Sequence, residues 1–150
     1  VQINLKFFVT GVVICLLMPA VASAVDYRTV SVSKAILYDA PSTQGKKLFL
    51  IGQGYPVEVI VDLGDWVKIR DHQGSLNWID AKQLSTKRSV LVSVDQAELR
   101  QSADTSSVIL CMVAKDVTLD LMEPPNNGWV KVHHRDGIVG YMLAASIWGV

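Results

Sequence analysis

Gly64-Asp65-Trp66-Val67-Lys68-Ile69-Arg70, followed by Gly74 and Trp78, returns further along the chain as Asn127-Gly128-Trp129-Val130-Lys131-Val132-His133, followed by Gly137 and Tyr141. The Trp pair, the Gly pair and the Trp78/Tyr141 pair each stand 63 residues apart. A fixed offset of this size marks a structural unit used more than once. Upstream, Ala35-Ile36-Leu37-Tyr38-Asp39-Ala40-Pro41 answers in the same order to Ala97-Glu98-Leu99-Arg100-Gln101-Ser102-Ala103. The chain is therefore a unit of roughly 60 residues present twice.

Successive side chains of a strand point to opposite faces. In the quoted stretch Val67 and Ile69 share one face, and Trp66, Lys68 and Arg70 the other. The Val/Ile face belongs to a core and the Trp/Lys/Arg face to the outside. The second copy repeats this, with Val130 and Val132 inward and Trp129, Lys131 and His133 outward. Asp71-His72-Gln73-Gly74 and Arg135-Asp136-Gly137 read as hairpin turns that send the chain back antiparallel through Leu76–Ile79 and Ile138–Met142. Working outward, strands are expected over Arg28–Val32, Ala35–Tyr38, Leu48–Ile51 and Pro56–Leu63. Their counterparts fall over Val90–Val94, Ala97–Arg100, Val108–Met112 and Val117–Met122. Asp80–Leu84 and Leu143–Ile147 read as single helical turns that close each unit. Glu123–Gly128 is a longer turn than its counterpart, and Pro124-Pro125 reads as a stiff part of it.

Short strands, frequent turn signals and no long amphipathic segment predict an all-β protein of two small barrels. The expected divisions are a leader over 1–24 and units over 25–86 and 87–150. Ser85-Thr86-Lys87-Arg88 is too short for a flexible linker, so the units are expected to touch. Each alone is near the lower size limit for a stable core, so the shared interface is expected to contribute to stability.

Residues 1–24 carry one charge, Lys6, before the apolar run Phe7–Met18. Pro19 breaks that run, and Ala22-Ser23-Ala24 offers a small-x-small cleavage pattern before Val25. The run is shorter than the roughly 20 residues a spanning helix needs. A secretory signal cleaved after Ala24 is expected, with export to the periplasm or cell envelope and no stable membrane span after cleavage. Without Lys6, 13 basic residues face 14 acidic ones. That balance argues against a duplex nucleic-acid binder, which needs a basic face. After cleavage Cys111 is the one cysteine left, so no intrachain disulfide forms. Its apolar setting, Val108 to Val113, is read as a core strand with a buried, inert thiol.

Both units resemble bacterial SH3-like (SH3b) domains. The first motif of that family stands here as Leu37-Tyr38-Asp39-Ala40-Pro41-Ser42 and Leu99-Arg100-Gln101-Ser102-Ala103. The second stands as Asp65-Trp66-Val67-Lys68-Ile69 and Gly128-Trp129-Val130-Lys131-Val132. The third stands as Gly74-Ser75-Leu76-Asn77-Trp78-Ile79 and Gly137-Ile138-Val139-Gly140-Tyr141-Met142. Arg100 keeps the family's Arg and Tyr38 replaces it; Asn77 replaces the second Gly of the third motif. The resemblance implies two tandem SH3-like barrels. It implies a wall-binding module for peptidoglycan or its stem peptide, or a protein-interaction module.

Catalysis needs a nucleophile or metal held by partners. One Cys on an expected core strand, and adjacent His133 and His134 on opposite strand faces, supply no such constellation. No metal or cofactor is expected, and the protein is read as a non-enzyme. The candidate binding residues are Tyr38, Asp39, Trp66, Lys68, Trp78, Arg100, Trp129, Lys131 and Tyr141. Exposed aromatics with a polar rim give contact area at low entropic cost. The competing reading is that the aromatics cap and complete their barrels, with the charges merely solvated. The leading expectation is non-catalytic binding of peptidoglycan or its stem peptide. An adaptor that recruits or regulates an envelope enzyme is the alternative, and a structural or sensor role a third. A wall binder should show an aromatic-lined polar cleft, an adaptor a broader apolar patch.

Overall fold

The computed structural model describes residues 24–150. Except for Ala24, the expected leader, with Ala22 of its cleavage pattern, lies outside the described residues. The first unit comprises β1 (Tyr27–Val30), β2 (Lys34–Tyr38), β3 (Lys47–Gly52), β4 (Pro56–Asp62), β5 (Trp66–Arg70), β6 (Leu76–Asp80) and β7 (Leu84–Ser85). The second repeats it as β8 (Ser89–Val92), β9 (Gln96–Arg100), β10 (Ile109–Ala114), β11 (Thr118–Leu121), β12 (Trp129–His133), β13 (Val139–Leu143) and β14 (Ile147–Trp148). The strand orders are β3-β2-β6-β5-β4-β1-β7 and β10-β9-β13-β12-β11-β8-β14, antiparallel throughout and identical in topology. The closing turns are 3-10 helices, Ala81–Gln83 and Ala144–Ser146. Asp80 caps the first by accepting from the Lys82 amide at 2.9 Å.

The alternation expected of the quoted stretch is present. Val67, Ile69, Val130 and Val132 are fully buried, while Trp66, Lys68, Trp129 and Lys131 are half-buried on the other face. Each unit has its own core. The first gathers Val30, Leu37, Val57, Val67, Ile69 and Ile79, and the second Val90, Val92, Leu99, Leu119, Val132 and Met142 among others. The hairpin turns close through positive-φ glycines, Gly74 at 89° and Gly137 at 89°, where a Cβ would be strained.

Two strands depart from their sequence reading. β8 runs Ser89–Val92 rather than Val90–Val94: Ser89, Val90, Leu91 and Val92 are all buried, and Val94 is exposed beyond it. Val90 and Val92 enter their own core, while Ser89 faces the other unit. β10 enters the core only through Val113. It is the free edge of its sheet, with Ile109, Leu110 and Met112 exposed. Cys111 is accordingly half-buried rather than buried, packed against the core from its rim.

The units touch, as the short junction requires. Thr29 and Ser89 share a buried hydroxyl–hydroxyl hydrogen bond of 2.7 Å. Tyr27 meets Trp148 edge-on with centroids 5.3 Å apart, and the Arg88 guanidinium lies 5.2 Å from the Tyr27 ring centre. His72 stacks edge-on against Trp148 at 6.4 Å. Gly54, at φ 84°, comes so close that a Cβ would stand 3.0 Å from Thr118 Oγ1 of the other unit.

Candidate binding site

β2, β6 and β5 are neighbours in that order, so Tyr38 lies opposite Trp78 and Trp78 opposite Lys68. Four of the candidates are thereby brought to one face of the first unit. The Lys68 ammonium stands 5.8 Å from the Trp78 ring centre. Tyr38 and Trp66 form an edge-to-face pair with centroids 5.4 Å apart. The expectation of an exposed Tyr38 is corrected by this contact: the ring is buried at 8% exposure, held between its sheet and Trp66. Asp39 is committed to its own loop, where Oδ1 accepts from the Lys46 amide at 2.7 Å.

The second unit arranges the same positions differently. Arg100 lies opposite Tyr141, and Tyr141 opposite Lys131, whose ammonium stands 5.9 Å from the Tyr141 ring centre. Arg100 occupies the place of Tyr38 but turns toward its own strand and loop. Its Nε donates to Glu98 Oε2 at 2.9 Å and its Nη1 to the Ser107 carbonyl at 2.6 Å. Trp129 thus has no aromatic partner among the described residues. It lines a cleft of ≈ 280 Å³ with Lys131, Tyr141, Glu123, Pro124 and Asn126.

The turn after β11 contributes to that cleft, and proline explains its shape. β4 runs on to Asp62, which pairs with Val67 of β5. β11 stops at Leu121, because Pro124 and Pro125 have no N–H to donate to the ladder. The freed segment bridges back through Asn126 to Trp129 and turns at Asn127 (φ 49°) and Gly128 (φ 79°). Lys131 Nζ donates to Glu123 Oε1 at 2.8 Å, which holds the ammonium above its ordinary pKa and fully charged at neutral pH. Glu123 and Asn126 were not among the residues singled out from sequence. Their signal was the extra length of this turn, which names no individual side chain.

The three histidines serve different partners: His72 Nδ1 with the Tyr55 hydroxyl at 2.6 Å, His133 with Asp120 at 3.5 Å and His134 with Asp136 at 3.2 Å. Among the described residues no three His, Cys, Asp or Glu side chains are grouped as metal ligands. Nor is any helix among them long and apolar enough to cross a membrane. What the two faces offer is an aromatic surface beside an ammonium, with an open cleft in the second unit.

The profile of the bacterial SH3 domain matches this chain twice, over residues 31–86 and 93–149. The chain belongs to the bacterial SH3 domain family and carries the domain in tandem. Among solved structures it is similar to NlpC2 of Trichomonas vaginalis, at 13% identity and a TM-score of 0.38 over 83% of this chain and 48% of that one. It is also similar to an NlpC/P60 family protein from Bacillus cereus, at 19% identity and a TM-score of 0.37 over 81% of this chain and 55% of that one. The chain spans about half the length of these solved proteins. No curated protein matches it.

Proposed function

We propose that the protein is a non-catalytic, exported binding module of the bacterial cell envelope, with peptidoglycan or its stem peptide as ligand. The observation that carries this reading is the cleft around Trp129, Lys131 and Tyr141, aromatic on one side and lined by polar Glu123 and Asn126 on another. Flat apolar faces beside fixed hydrogen-bonding groups suit sugar rings and short peptides alike. Membership of the bacterial SH3 domain family supports a binding role, while a fold alone does not choose a ligand. The test is co-sedimentation with insoluble peptidoglycan sacculi, using the protein and its Trp129→Ala and Trp66→Ala variants, each checked for folding by circular dichroism. Saturable binding lost in folded Trp129→Ala sustains the reading. Absence of binding by the unaltered protein sinks it.

A second reading, an adaptor for an envelope enzyme, is favoured by one separate feature. β3 is the free edge of the first sheet, and it exposes Leu48, Phe49 (59%) and Leu50 (64%) beside Ile36. An apolar strand edge is a surface on which another chain adds a strand. Cross-linking in the envelope, with Leu50→Lys as the control, distinguishes the two readings.

A further inference from the structure

A second cleft, of ≈ 380 Å³, lies between the units, away from the motif aromatics. Its charged lining comes from Lys87 of the junction and from Asp120, His133 and Arg135 of the second unit. Hydroxyls from both units, Thr29 and Thr118 among them, complete it. Asp120 Oδ2 accepts from Lys87 Nζ at 2.8 Å and stands 3.5 Å from His133 Nδ1. Arg135 is exposed and has no ion-pair partner among the described residues. The cleft thus has one carboxylate, Asp120, already engaged by Lys87 and His133, with the Arg135 guanidinium left over. The Lys87 ammonium already matches the Asp120 carboxylate, which leaves the Arg135 guanidinium to grip a planar anion with two hydrogen bonds.

The position of this cleft matters as much as its charge. Trp129, Lys131 and His133 alternate along β12 and share its outer face. At about 3.3 Å per residue, His133 sits about 13 Å along the strand from Trp129. The aromatic cleft lies at one end of this track and the inter-unit cleft at the other. We infer that the inter-unit cleft is a second binding subsite, selective for the free carboxylate of a short peptide that extends along β12 toward Trp129. The peptide's origin in the wall rests on the reading above; the selectivity for a carboxylate rests on this cleft alone.

The test compares N-acetyl-Ala-Ala-Ala with its C-terminal amide in NMR titrations of the isotope-labelled protein. The free acid is expected to shift the amides of Lys87, His133 and Arg135. It should bind at least about tenfold tighter than the amide, the factor carried by a hydrogen-bonded charge. The Lys87→Ala/Arg135→Ala double variant, altered at two exposed side chains, should keep the parent melting temperature and lose the preference. Equal binding of acid and amide, shifts confined to other surfaces, or no binding by either peptide overturns the inference. Sacculus binding that persists alongside such a failure leaves the wall-binding reading standing. Carboxylate selectivity without sacculus binding sustains this subsite and removes that reading.

Discussion

Trp66 and Trp129 occupy the same motif position, yet their neighbours give them different tasks. Trp66 is braced by Tyr38 at 5.4 Å, whereas Trp129 borders an open cleft beside Lys131. Trp66→Ala is therefore expected to lower stability, by about 1 kcal/mol for the lost aromatic pair in addition to the lost burial, as read by urea denaturation. Trp129→Ala is expected to weaken sacculus binding by about 2 kcal/mol, as an anchor residue at the middle of a binding surface would. Gly140 stands where the first unit has Asn77. A Cβ at Gly140 would stand 2.6 Å from the Arg100 carbonyl oxygen and 3.0 Å from Leu99, so Gly140→Ala should cost about 1–3 kcal/mol in the same assay. Asp62 sets an acid limit. The Gly64 amide and then Arg28 bind its carboxylate and hold its pKa below the ordinary 3.8. Its contribution is complete above the unfolded value and is lost as pH falls through the lower folded one. A pH series of melting temperatures should show this acid loss in the parent and a smaller one in Asp62→Asn.

At the scale of the element, β3 and β10 show where sequence reasoning stops. Each is a short apolar run, and such a run reads equally as a buried strand or as an apolar edge. Burial is decided by what covers each side chain, and these edge strands are covered only where Val113 and Ile51 reach inward. That is why Cys111 is half-buried and Leu50 exposed. β5 and β12 were legible because one face meets a core and the other does not, so the period of two is written in Val67, Ile69, Val130 and Val132. β8 carries no such period because both of its faces are covered, and Leu91 is buried along with Val90 and Val92. The motif spacing also identified the aromatics and lysines of the candidate faces. It could not identify the cleft, whose lining depends on how Pro124 and Pro125 release the chain from its ladder. Leu50→Lys on β3 should change stability by less than about 0.5 kcal/mol, because it alters an exposed edge. Any concentration-dependent association seen by sedimentation velocity should disappear in that variant.

At the scale of the molecule, the equivalent strands β1 and β8 meet at the seam through Thr29 and Ser89, with Tyr27, His72 and Gly54 meeting Trp148 and Thr118 around them. Ser89→Ala would leave the Thr29 hydroxyl buried without its partner, at a cost of about 1–3 kcal/mol; Thr29→Val in the same chain should recover part of it. Thermal unfolding of the parent should follow a single cooperative transition, and residues 87–150 alone should melt lower than the whole. Two well-separated transitions would show that the seam contributes little. The seam also fixes the separation of the Trp66 and Trp129 faces, because the junction that links the units is itself held by Arg88 on the Gly149 carbonyl. Two sites on a flexible tether search many spacings and gain avidity from most multivalent targets. Two sites on a fixed frame gain it only from a target whose repeat matches their own, and gain nothing from any other. If both faces bind, the Thr29–Ser89 contact makes the protein a gauge of ligand periodicity, and a polymer of the wrong repeat is held by one domain at a time.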